Sequence, residues 1–178
     1  MIVRNCLAFI ALVAVAIPAP ALDTPLGAVG ADGSAYAGAA ARTVRSLVEY
    51  TRWPQPPSPV QVCVAGPASH AAQIDGTRLT DARSLQRRNI AVSGAGLAGC
   101  DVLYIGKVPI AGQRQLTAAV RGKGVLTIAE ADPNCQSEAM FCLVYQPRGL
   151  SFRLNIDAVS RSGLKVDPRV LRLSVGGG

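Results

Sequence analysis

The residues whose type and number speak first to chemistry are Cys63, Cys100, Cys135 and Cys142. A fifth cysteine, Cys6, falls inside an N-terminal run that reads as an export signal: Arg4, then an apolar stretch from Cys6 to Ile17, then Ala19-Pro20-Ala21 in the small-x-small pattern that signal peptidase cleaves. Twelve apolar residues are too few to span a bilayer about 30 Å thick. Cys6 is also not placed directly after the small-residue site, so no lipid anchor is expected. Cleavage after Ala21 removes Cys6 and leaves four cysteines, an even number in an exported chain, which argues for disulfides. Three pairings are open from the residues alone. A zinc site is not expected, because CxxC and HxxxH spacings are absent and His70 is the only histidine.

Other motifs that chemistry would need are missing or misplaced. Residues 94–99 read G-A-G-L-A-G, but the dinucleotide fingerprint requires a helix immediately after it, and here Cys100 and the strand-like DVLYI follow. A turn between strands is the reading. A Ser/His/Asp set would have to use His70, and no serine sits in GxSxG. The eleven acids are scattered singly, with Glu130 and Asp132 in a loop. No catalytic residue, cofactor or metal is therefore assigned, and an enzyme is not expected.

Removing 21 of the 178 residues leaves 157, the size of one domain with its own core. The net charge of +7 falls to +6 with Arg4, carried by fourteen Arg and three Lys. Arg83, Arg87 and Arg88 cluster, the first two at helical i, i+4 spacing, and read as a solvated face. Aromatics make up only 4% of the chain and do not interleave with the arginines, which argues against nucleic acid.

The elements that position these residues follow from periodicity. Residues 22–33 are small and turn-rich, and are expected to be flexible; residues 34–178 form the single domain. Val44, Leu47, Val48 and Thr51 fall at i, i+3, i+4 and i+7, extended backwards by Ala37, Ala40 and Ala41, and give an amphipathic helix ending at Trp53-Pro54. Strands are expected at Val60–Ala65, Asn89–Ser93, Asp101–Ile105 and Gly124–Ala129, with helices at 67–74 and Gln113–Arg121. Their alternation favours a mostly parallel α/β sheet. Ala139–Tyr145 and Ser151–Ile156, joined around Pro147-Arg148-Gly149, read as a C-terminal antiparallel hairpin. A helix at Asp157–Ser162 and a short turn from Asp167-Pro168 close the chain.

One strand carries unusual bulk. Met140, Phe141, Leu143 and Tyr145 crowd around Cys142 in an aromatic-poor chain. Side chains alternate across a strand, so one set must face away from the buried side. Left uncovered, Met140, Phe141 and Leu143 make an apolar partner-binding patch; covered by a helix, they are core.

These features together resemble the YfiR-like family of periplasmic proteins. The helix RTVRSLVEYTRWP closes on an aromatic-Pro pair, and VQVCVAG, CDVLYIG, GVLTIAE and FRLNIDAVSRSGLKVDPRVLRL follow that family's order over about residues 37–174. The resemblance implies the pairing Cys63–Cys100 with Cys135–Cys142. It also implies regulation rather than catalysis: a periplasmic repressor that binds the periplasmic domain of an inner-membrane diguanylate cyclase and holds down cyclic-di-GMP synthesis, restraining biofilm formation. A redox-sensitive Cys135–Cys142 bridge would serve as its switch. The resemblance leaves room for a homodimer, and implies neither nucleic acid nor membrane insertion. The alternative is a small-ligand-binding protein using the carboxyl ends of the parallel strands, at Gly66-Pro67-Ala68-Ser69-His70 and Ile105-Gly106-Lys107. A hydrolase centred on Ser69 and His70 comes third. A concave pocket containing His70 favours the latter two; a flat apolar face around Phe141 favours the repressor.

Overall fold

The computed structural model describes residues 34–147 and 149–175. The expected signal at 1–21 and the segment 22–33 lie outside the described residues, as does Arg148 of the hairpin turn. The chain opens with helix α1 (Ser34–Glu49), followed by β1 (Thr51–Arg52), β2 (Val60–Ala65), β3 (Leu85–Ile90) and β4 (Val102–Ile105). Helix α2 (Ile110–Val120) leads into β5 (Leu126–Ala129), and β6 (Phe141–Gln146) with β7 (Gly149–Leu154) forms the hairpin. The short α3 (Ile156–Ser160), β8 (Lys165–Val166), a 3-10 turn (Pro168–Leu171) and α4 (Arg172–Val175) finish it.

Six strands form one sheet in the order β3-β2-β4-β5-β6-β7. Every neighbouring pair is parallel except β6–β7, which is antiparallel. This is the α/β sheet with a C-terminal hairpin that the alternation of elements implied, in a single domain. Period-2 alternation sorts its side chains onto two faces. Val62, Val64, Tyr104, Ile128, Phe141 and Leu143 share one core with Val44, Leu47 and Val48 of α1. Cys63, Ala65, Leu103 and Ile105 face the other way, onto Leu116 and Val120 of α2. Both faces are covered, so the central strands are mostly apolar, as buried parallel strands are, with Gln61 and Thr127 the polar exceptions in β2 and β5. Among the described residues no helix is long and apolar enough to cross a membrane.

Three expectations shift. Helix α1 stops at Glu49, not at Trp53-Pro54, because Thr51 and Arg52 pair with Val166 and Lys165 in a two-stranded ribbon, while the Thr51 hydroxyl donates to Leu47 O at 2.7 Å. Strand β3 begins at Leu85, well before Asn89. Gln86, Arg87 and Arg88 disguised it; β3 is an edge strand of the sheet, where charged residues discourage pairing with another chain. Arg83 and Arg87 are therefore not on a helix, and all three arginines are engaged within the protein. Arg83 pairs with Asp81 at 2.8 Å, Arg87 donates to Asn89 Oδ1, and Arg88 donates to Ala98 O. Residues 67–74 make turns and no helix.

Candidate functional site

Disulfides join Cys63 to Cys100 and Cys135 to Cys142, with Cα–Cα separations of 5.7 and 5.4 Å. The first links β2 to the residue entering β4 and so fixes two central strands at one end. The second closes the loop between β5 and β6. Cys63, Cys100 and Cys142 are buried, while Cys135 is half-buried. Chain-entropy reasoning assigns about 4 kcal/mol to the longer loop and about 2.5 to the shorter.

Met140, Phe141 and Leu143 are 2%, 0% and 1% exposed. The expectation that they present a face to a partner is corrected: all three belong to the core shared with α1. Phe141 packs edge-to-face on Phe152 of β7 with ring centroids 5.4 Å apart. The opposite side of β6 is closed too, because Cys142 packs with Ala129 and Ala139 beside its own bridge. The sequence pattern counted the large groups correctly, but it carried no sign that α1 would lie over this strand.

A concave site lies elsewhere. Its position follows from the strand order, in which the connection leaving β2 turns outward to β3 and the one leaving β4 turns outward to β5. Two such diverging connections open a crevice at the carboxyl ends, the usual place for a ligand in an open α/β sheet. Here the two loops touch backbone to backbone: Lys107 N–H donates to Pro67 O at 2.6 Å. Gly106 makes that approach possible, since a Cβ there would stand 2.2 Å from Pro67 O. Above the junction is a cavity of about 360 Å³, lined by Ser69 and His70 after β2, Lys107 after β4, Glu130, Ala131 and Pro133 after β5, and Leu143 and Tyr145 on β6. Of the strand-end residues of the small-ligand alternative, Ser69, His70 and Lys107 line it.

Glu130 organises the floor. Its carboxylate, 5% exposed, accepts from Ser69 N–H at 2.7 Å, His70 N–H at 3.3 Å and the Tyr104 hydroxyl at 2.7 Å. Tyr104 is fully buried, and its oxygen lies 3.5 Å from that of Tyr145. Burial pushes the Tyr104 phenol above its ordinary value of 10.0, with Tyr145 and the Glu130 charge adding to the effect. Burial likewise raises Tyr145. One wall is aromatic: the His70 ring centroid sits 4.5 Å from that of Tyr145 and 5.5 Å from that of Tyr36. Ser69 and His70 are thus held by backbone donation to Glu130 and by ring packing.

The glycine motif at 94–99 is a run of turns leading into β4, as its context implied. Gly94, Gly96 and Gly99 have φ of 85°, 91° and 71°, so turn conformation alone accounts for the glycines. Sequence reading missed Glu130 and Tyr104. The available signal was position: Glu130 directly follows the strand-like GVLTIA, and Tyr104 lies in DVLYI, both at carboxyl ends of parallel strands.

The profile of the family described as YfiR/HmsC-like matches residues 38–175, most of the chain. The chain belongs to that family. Its members are regulatory rather than catalytic, and two disulfides fit the oxidising compartment in which the family works.

Proposed function

We propose that this member of the YfiR/HmsC-like family is a periplasmic repressor, which binds the periplasmic sensor part of an inner-membrane diguanylate cyclase and lowers cyclic-di-GMP synthesis across the membrane. The observation that carries this reading is the family match over residues 38–175. Export by residues 1–21, with cleavage after Ala21, delivers the chain to the right compartment.

The architecture suits the task. A regulator of this kind needs a rigid body and a way to change its contact with the partner. Rigidity is supported by a six-stranded sheet covered on both faces and by two bridges. Contact must be made by residues other than the buried Met140, Phe141 and Leu143. The test is capture from solubilised inner membranes with the mature protein as bait. A diguanylate cyclase with a periplasmic domain should be retained, and its synthesis rate in vesicles should fall on adding the bait. Retention of no cyclase, or an unchanged rate, would overturn the proposal.

A further inference from the structure

We propose that the cavity at the ends of β2, β4 and β5 binds a small zwitterion, with an ammonium group against Glu130 and a carboxylate against Lys107: a free α-amino acid or a dipeptide. This inference stands on the cavity and does not depend on the cyclase reading.

The charges on the cavity wall are the reason. Among the described residues Glu130 is a buried carboxylate held by neutral donors, two backbone N–H groups and one phenol. None of the five ion pairs among the described residues includes it. A buried charge without a counter-charge is costly, and a carboxylate offers about four acceptor positions, of which three are filled. Lys107 lines the same cavity, is exposed, and joins none of those five pairs either. An anion alone would satisfy Lys107 but meet Glu130; a cation alone would do the reverse. A molecule bearing both signs answers both walls. Pro133 and the Tyr145 ring offer apolar surface to its carbon skeleton. At about 360 Å³ the cavity is near the lower end of small-molecule sites, about 300–1,000 Å³, which suits an amino acid or dipeptide better than a nucleotide.

The experiment is calorimetric titration of the mature protein with each of the standard L-amino acids and with glycylglycine. Every binder is then compared with its N-acetyl and its carboxamide derivative, with succinate and with putrescine. At least one zwitterion should bind, and blocking either end should weaken it at least tenfold. Lys107→Ala, an exposed change, should weaken binding at least fivefold with the melting temperature unchanged. Glu130→Gln should weaken the free amine more than its N-acetyl form; should that variant fail to fold, Lys107→Ala still decides. No binding at millimolar concentration, indifference to end-blocking, full affinity in Lys107→Ala, or equal affinity for succinate or putrescine would each overturn the proposal.

Discussion

The Tyr104 hydroxyl donates to Glu130 Oε2 across 2.7 Å, both groups buried, joining β4 to the end of β5. The same carboxylate takes Ser69 N–H and His70 N–H, so one side chain also anchors the loop that leaves β2. Glu130 is in this sense the keystone of the strand-end crevice. Glu130→Gln replaces a charged acceptor by an amide and sets an NH₂ among N–H donors. The expected cost is about 1.5–3 kcal/mol, the scale of a hydrogen bond to a charged group, read as a lower urea midpoint at unchanged slope. An unchanged midpoint would remove Glu130 from this role.

Tyr104 also sets a response to alkali. Its phenol is raised above the ordinary 10.0 by burial first, so the folded state keeps the proton where the unfolded chain loses it. The resulting stability is fully present below pH 10 and is lost as pH rises beyond it. The slope is about 1.4 kcal/mol per pH unit for this one group. Phenolate absorbance should therefore show a component that appears only together with unfolding above pH 10. In Tyr104→Phe that component should shrink to the share of Tyr145, whose phenol burial also raises. A Tyr104 signal titrating in the folded protein near pH 10 would contradict the packing described.

Phe141 is wholly buried against Phe152. Phe141→Ala should cost about 3–5 kcal/mol of stability and reduce the protein's abundance in the periplasm. Chemical denaturation measures the first effect and quantitative immunoblotting the second. A fully stable Phe141→Ala protein would return this residue to the surface role that its strand pattern suggested.

The bridges should differ in lability. Cys63 and Cys100 are 0% and 7% exposed, whereas Cys135 is half-buried and is the more exposed residue of its pair. Mild reductant followed by alkylation and peptide mapping should label Cys135 and Cys142 first. Without reductant none of the four should react, and the intact mass should be four hydrogens below the reduced value. Earlier labelling at Cys63 would reverse the order.

Much of this fold was legible in residue pattern. The Ala37-to-Thr51 stripe marked a buried helix face, and VQVCVA and GVLTIA are apolar runs short enough for strands covered on both sides. Boundaries failed where long-range pairing decides them: Thr51 and Arg52 leave the helix only because residues 165–166 come to meet them. Strand β3 was hidden by its charges. The site was half legible, since the two loops at Gly66–His70 and Ile105–Lys107 follow from strand order. Glu130 was not, because a lone acid after a strand becomes a keystone only when another strand's tyrosine and another loop's N–H groups converge on it. The misreading of Met140, Phe141 and Leu143 has the same origin: alternation tells which side chains share a face, and tertiary packing tells what covers it.

The central claim, repression of a diguanylate cyclase from the periplasm, is tested most directly by cellular cyclic-di-GMP. Its level is to be measured in cells lacking this chain and in the same cells supplied with it, with and without residues 1–21. The account predicts a rise on removal, a return to the original level with the exported form, and no return with the form lacking residues 1–21. An unchanged level on removal, or equal rescue by the unexported form, would contradict it.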